Sequence, residues 1–248
     1  MSIASMSPPW PITFDDVLQA RMRLAPYLSP TPLRGYPLLD ELFDDGTTLL
    51  FKHENHQPTG SFKVRNGLSF ITGLADGERA RGVVAASTGN HGQGVAYAAA
   101  LHGVRATICV PVGNNPDKNA AMRGWGATVI QEGRDYDESV NAMLRIAREQ
   151  DMVVSHSTND VRVVAGAATM SLEMLEQAGN LDAIVVAVGG GSQSVGALTV
   201  ARAVAPGLKV YGAQTAGAPA IHDSWHARSP RTTERANTFA EGVATRQP

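Results

Sequence analysis

From Arg81 to Ala213 the chain alternates short apolar runs with helix-like segments, and this alternation constrains the fold more than any other feature. The runs Gly82–Ala86, Ala106–Val110, Thr128–Ile130, Met152–Ser155, Ala183–Val188 and Leu208–Ala213 read as strands. Between them, Gly92–Leu101, Pro116–Arg123, Tyr136–Gln150, Gly166–Gln177 and Ser194–Ala205 read as helices. Pro116 stands at a helix start, where proline is tolerated. Val140, Met143, Leu144 and Ala147 share one face of their helix. Continuous apolar strands separated by helices predict parallel sheets covered on both faces, so the fold class is α/β.

The segment before this array is less regular. Thr13-Phe14-Asp15-Asp16 predicts an N-cap with acids in the first turn, opening a helix that runs to about Tyr27 and ends at Ser29-Pro30. Thr31–Leu33 reads as extended, with a short helix around Leu38–Phe43. Asp44-Asp45-Gly46 then turns into a strand at Thr48–Lys52. The Pro-rich lead Met1–Pro11 is expected to be irregular.

Composition narrows the function classes. The 248 residues suffice for one large domain or two modest ones. A net charge of −2 offers no basic field for nucleic acid, so a small-molecule partner is expected. The single cysteine, Cys109, lies in an apolar strand and reads as a buried thiol, without support for a disulfide or a cysteine metal site. Met1–Trp10 lacks the basic and apolar regions of a secretory signal, and no apolar run approaches the roughly 20 residues of a membrane span. The expected location is the cytoplasm.

Three stretches carry candidate chemistry. The first, Glu54 to Gly67, crosses a Pro/Gly turn and enters a helix with Lys63 in its first turns. A cation there meets the positive end of the helix dipole, which favours the neutral amine that Schiff-base chemistry needs. The second, Ser87-Thr88-Gly89-Asn90-His91-Gly92, joins a strand to a helix and offers N–H groups and hydroxyls to a carboxylate. Asn90 is also a donor to a ring oxygen. The third, Gly189-Gly190-Gly191-Ser192, follows an apolar strand at the end where open α/β sheets bind ligands, and its bare N–H groups suit a phosphate. Ala197 after Gly196 excludes a Walker A loop, and Lys209–Gln214 lacks the acid of a dinucleotide site. His53-Glu54-Asn55-His56 does not complete a zincin motif, because Gln57 stands at the second histidine position. A lysine amine, a carboxylate loop and a phosphate cup together point to a phosphorylated carbonyl cofactor, pyridoxal 5'-phosphate.

At these residues the sequence resembles the fold-type II pyridoxal-phosphate enzymes, in the threonine/serine dehydratase and serine racemase branch. The resemblance runs from about Thr31 to Pro248 and rests on three motifs in order. They are K-x-E-x-x-Q-P-T-G-S-F-K at Lys52–Lys63, S-T-G-N-H-G-Q from Ser87, and the glycine cup. It implies a two-domain α/β fold like that of tryptophan synthase β chains. A large cofactor domain (1–84 and 163–248) is interrupted by a small mobile domain (85–162). The resemblance further implies Lys63 as the Schiff-base lysine with Phe62 packed beside the cofactor, and Asn90 on the pyridine hydroxyl. Gly189, Gly190, Gly191 and Ser192 would hold the phosphate, and Ser87, Thr88, Gly89, Asn90 and His91 the substrate carboxylate. The implied activity is an ammonia-lyase on L-threonine or L-serine, in a homodimer. Alternatives are serine racemase, a hydroxyaspartate or hydroxyectoine-pathway dehydratase, and a truncated cofactor-binding protein without turnover.

Several positions depart from the family pattern. Ser192 replaces a fourth glycine, as in tryptophan synthase β chains. Gln214 and Ala220 stand where some relatives place acidic cation ligands, so no metal is expected. Thr88 occupies the place of the serine that serves racemases as a second base. Relatives continue beyond Glu241–Pro248 to a strand whose serine bonds the pyridine nitrogen, so that partner and part of the large domain are expected to be missing. The sheet edge at Leu208–Ala213 is then expected to be open and prone to association.

Overall fold

The computed structural model describes residues 10–247, so most of the lead Met1–Pro11 lies outside the described residues. The elements run α1 (Phe14–Leu24), β1 (Leu33–Gly35), α2 (Pro37–Asp40), β2 (Leu50–Lys52), a 3₁₀ turn (Glu54–His56), α3 (Lys63–Thr72) and α4 (Asp76–Arg81). They continue with β3 (Val83–Ala86), α5 (Asn90–Leu101), β4 (Ala106–Val110), α6 (Pro116–Gly124), β5 (Thr128–Gln131), α7 (Tyr136–Glu149) and β6 (Val153–Val154). Last come α8 (Val161–Ala178), β7 (Ala183–Ala187), α9 (Ser192–Val204), β8 (Lys209–Ala213), α10 (Ala220–Ala227) and a 3₁₀ turn (Glu241–Val243).

Four strands form a parallel sheet in the order β5-β4-β3-β6, with Val84 opposite both Thr107 and Val154. Alternate residues of its strands build two cores. Val83, Ala85 and Ile108 pack with Val64, Leu68 and Val95 of α3 and α5. Val84, Ala86 and Cys109 face Ala142, Met143 and Ile146 of α7. Both faces are therefore covered, and Cys109 is buried, with its thiol pushed up to about 11 chiefly by that burial. Among the described residues no helix is long and apolar enough to cross a membrane.

The pair β7–β8 departs from expectation. Ile184 and Val186 point inward onto Ala197 of α9, but Val185 is 68% exposed and Tyr211 53%. An unbroken apolar run therefore shows the alternating burial of a half-covered sheet, because α8 and α9 cover one face only. Helix α8 begins at Val161, five residues before the expected start, because the Asp160 side chain accepts from the Arg162 N–H at 2.8 Å. Helices α5 and α9 also begin early, so Asn90 and Ser192 are first helical residues and not loop residues. Helix α4 has no signature in the apolar pattern, because Asp-Gly-Glu-Arg-Ala-Arg has no apolar period; the Glu78 carboxylate accepts from the Ala75 N–H and fixes its start. Helix α10 lies beyond the last expected element, and the Gln214 side chain accepts from its His222 N–H.

Two features set the position of α3. Gly67 and Gly94 let α3 and α5 meet backbone to backbone: a methyl on Gly67 would lie 2.8 Å from Val95 N and closer still to the Gly94 carbonyl. The second is a buried ionic cluster. Arg65, 3% exposed, donates from Nε and Nη2 to the two oxygens of Glu54, each at 2.7 Å. It donates again to Glu173 of α8 at 2.9 and 3.1 Å. Lys52 also pairs with Glu173 and donates to the Thr31 carbonyl at 2.7 Å.

Arg65→Met leaves two buried carboxylates short of a partner and is expected to cost about 3–5 kcal/mol. Arg145→Met removes only surface pairs with Glu132 and Glu149 and should stay within about 1 kcal/mol. Urea unfolding of both variants checks the contrast; equal losses would show that burial does not set the strength of the cluster.

Candidate active site

The carboxyl ends of β3, β6 and β7 each lead into a loop, and contacts between these loops build the site. Lys63 opens α3 after Phe62, whose ring centroid lies 5.0 Å from Nζ. The side chain is partly buried, and loss of water around the amine lowers its pKa to about 8. Nζ donates to the Ser157 carbonyl at 3.3 Å.

The loop after β3 is organised by Ser87. Its Oγ accepts from the N–H groups of Gly89 (3.1 Å) and Gly92 (2.9 Å), which leaves its own proton free to donate. The N–H groups of Asn90 and His91 lie in the first turn of α5 and have no acceptor within the helix. The His91 ring sits 3.1 Å from the Ser155 carbonyl; a carbonyl only accepts, so Nε2 carries the proton. Burial first, then the Lys63 charge, lowers the His91 pKa to about 3, so the ring is neutral. Its Nδ1 is a buried lone pair without a partner and cannot donate to a carboxylate. At His91, then, the donor is the main-chain N–H.

The loop after β7 holds Gly189, Gly190 and Gly191 and leads into Ser192, the first residue of α9. Gly191 takes φ +90°, the left-handed region that glycine favours, and caps α9. Gly190 lies against Thr158; a methyl there would strike Thr158 Cγ2 and come 3.3 Å from its Oγ1. Pro11, Ile12, Asn159 and Val195 join the cup around a cleft of about 310 Å³.

The sequence singled out the first and third loops but missed what joins them. Segment Ser155–Thr158, after β6, accepts from Lys63 and His91 and presses on Gly190. Its shape comes from His156 Nδ1, which accepts from Thr158 N (3.1 Å) and Asn159 N (3.0 Å). Tyr136 at the start of α7 hydrogen-bonds Ser157 Oγ at 3.1 Å, and burial raises its phenol pKa. Gly242 and Val243 lie over Gly189, at 3.2 Å from where its Cβ would be, and Gly242 also faces the Asn90 amide. The one available signal for Ser155–Thr158 was its place after a parallel strand. Glu54, of the histidine-bearing turn, is spent on Arg65 and Thr31, and His53 bonds Tyr36 at 2.8 Å.

The residues fit a phosphorylated carbonyl cofactor. Ser61 Oγ and Thr59 Oγ1 before Lys63, and Ser194 Oγ in the first turn of α9, are buried and without partners. The cup tolerates no side chain at Gly190, and the lysine amine is desolvated.

Residues 24–248 match the family described as pyridoxal-phosphate dependent enzyme. The chain is 38% identical to the L-threonine ammonia-lyase of Thermotoga maritima over 96% of its own length, and spans 59% of that relative. A structure of maize serine racemase superposes with TM-score 0.91 at 31% identity, covering 95% of this chain and 71% of that one. A serine racemase structure from Dictyostelium discoideum superposes with TM-score 0.86 at 34% identity, over 94% and 75% of the two chains.

The lowered pKa of Lys63 has a testable sign. Below pH 8 the amine is charged in both folded and unfolded protein, and the fold carries the full cost of burying it. Between about 8 and 10.5 only the unfolded chain holds the proton, so stability rises with pH; above 10.5 the cost is gone. Cofactor-free Lys63→Met is therefore expected to be more stable than the parent at pH 7 by about 3 kcal/mol. The advantage should fade by pH 10.5 in urea titrations. A difference independent of pH would mean that the amine is not desolvated.

Proposed function

The chain belongs to the pyridoxal-phosphate dependent enzyme family, and on that premise we propose that it is an ammonia-lyase acting on a small β-hydroxy amino acid, L-threonine or L-serine. The observation that carries this reading is the desolvated Lys63 amine, tied through Ser155–Thr158 to both the carboxylate loop and the glycine cup. The bound cofactor supplies an electron sink for the carbanion at the substrate Cα. Every other task falls to side chains and main chain of this protein.

Lys63 would hold the cofactor through its amine, and the lowered proton affinity of that amine suits it to take a proton from the substrate Cα. Phe62 walls the cofactor on the lysine side. The N–H groups from Gly189 to Ser192, at the positive end of α9, would hold the phosphate, supported by the orphan hydroxyl of Ser194. Asn90 would donate its amide to the ring hydroxyl. The carboxylate takes the Ser87 hydroxyl proton and the N–H groups of Thr88, Gly89, Asn90 and His91, within the limit that the Gly89 N–H already points at Ser87. Loss of the Cα proton and the β-hydroxyl, followed by hydrolysis, yields the 2-oxo acid and ammonia.

Racemisation is the second reading, and Thr88 weighs against it. The residue is half-buried, keeps a hydroxyl where a second base would act, and adds a methyl and a stiffer χ1. The ammonia-lyase reading includes a mobile unit at 85–162, a homodimer and a cytoplasmic location. Exposed Leu38, Leu42 and Phe43 around α2 support association, and the buried free thiol of Cys109 suits a reducing compartment.

Incubation with L-threonine should release 2-oxobutanoate, and L-serine should give pyruvate in excess of D-serine. An excess of D-serine would reverse the order of the two readings, and no product from either amino acid by a cofactor-loaded protein would sink the lyase assignment.

Gly190→Val should collide with Thr158 and weaken pyridoxal 5'-phosphate retention by several kcal/mol, on the order of a hundredfold or more in dissociation constant. Absorbance titration measures it. An unchanged constant in a folded variant would place the phosphate outside the cup.

A further inference from the structure

Lys118 lies in the first turn of α6, the positive end of the helix dipole, where a cation is disfavoured. Asn115 already caps that turn, accepting from the N–H groups of Asp117 (2.9 Å) and Lys118 (3.3 Å). The helix itself gains nothing from a lysine there. Its side chain instead runs across Gly89: a methyl on that glycine would come 2.8 Å from Lys118 Cδ and 3.5 Å from Nζ. The bare glycine lets the stem lie close, and the ammonium stands over Gly89, the residue that precedes the first turn of α5.

Among the described residues its ion-pair partner is Glu241, in the turn whose Gly242 faces the Asn90 amide. The two side chains are 30% and 54% exposed, and pairs of that kind contribute only about 0–1 kcal/mol. Such a pair exchanges readily. The other groups at the loop supply partial charges only: Ser87 is a neutral hydroxyl, and His91 is neutral with its ring proton committed to Ser155.

We propose that Lys118 is a substrate-carboxylate-binding residue held in standby by Glu241, and that an arriving carboxylate displaces Glu241 from the ammonium. This deepens, and rests on, the reading of Ser87–His91 as the carboxylate loop. Glu241 then acts as a built-in competitor. A free carboxylate displaces it, whereas an amino-acid amide or ester, having no negative charge to offer, does not. The loop thereby selects free amino acids over their neutral derivatives.

The probe is 3-hydroxybutyrate, which has the carboxylate and hydroxyl of threonine but no amine to react, titrated into the holoenzyme by calorimetry. Lys118→Met should weaken it about tenfold, as expected for losing one charge-assisted contact, and Lys118→Arg should recover most of that. With threonine as substrate, KM should rise about tenfold while kcat changes by less than about threefold. Glu241→Gln should act in the opposite sense and tighten binding by about threefold, because the competitor is gone. A lysine that merely tied α6 to the 241–243 turn would make both variants bind more weakly. Unchanged affinity in Lys118→Met, or weaker binding in Glu241→Gln, overturns the proposal; should Lys118→Met fail to fold, the sign of the Glu241→Gln effect decides alone. Ser87→Ala separates the two levels. If it weakens binding and Lys118→Met does not, only the role of Lys118 falls; if neither does, the loop is not a carboxylate site and the underlying reading falls with it.

Discussion

The site depends on a buried cluster of four charges that lies away from it. Lys52, Glu54, Arg65 and Glu173 come from β2, the 3₁₀ turn, α3 and α8, and their formal charges cancel. Arg65 is two residues after Lys63, and Glu54 opens the loop that leads to it. The bidentate pair between them closes that loop at its base, and the Glu173 arm fixes it to the longest helix. Carboxylates in such surroundings normally rise in pKa; here burial is outweighed by Arg65 and Lys52, and Glu173 is held below its ordinary value. An isolated charge at any of these places would be untenable, so the four stand together or not at all. The acid and lysine of the K-x-E motif are thus structural parts of the lysine's mounting.

Much of the site was legible because its residues shape the main chain. Thr59-Gly60-Ser61-Phe62-Lys63, Ser87–Gly92 and the triglycine stretch announce turns and bare N–H groups directly in residue type. Ser155–Thr158 gave no comparable sign, because two of its key contacts use backbone carbonyls that any residue supplies. The role of His91 was only half legible: its position suggested a ligand, but which nitrogen holds the proton depends on a carbonyl 64 residues away. The strands were read nearly to their ends, yet the two faces of β7 were not, since Ala183–Val188 is apolar throughout and only its neighbours decide which side is covered. Polar helix α4 shows the converse, a helix specified by its cap and not by its pattern.

The geometry of the loops also explains why so few of their side chains need be large. Strands of two sheets, β3 and β6 of one and β7 of the other, deliver three loops to one place, and each loop contributes main-chain groups or a small hydroxyl. The exceptions, Lys63, Asn90 and His91, stand at or beside a helix start, where the dipole biases their protonation and donor character. Large side chains such as Tyr136 act at one remove, on Ser157.

The glycine contact between α3 and α5 has a mechanical consequence. Side-chain layers between helices can shear, but two backbones in direct touch have no such layer, so relative movement becomes rotation about the point of touch. Gly94 meets the Lys63 carbonyl and lies four residues after Asn90, so this fulcrum is roughly 6 Å along the axis from the start of α5. The far end at Leu101 is about 10 Å away on the other side. A tilt of α5 would therefore carry its distal end, and the strand that follows, through a longer arc than the loop Ser87–Gly89. The lysine and the loop that faces it sit near the still point of the lever, where they keep their spacing while the periphery swings.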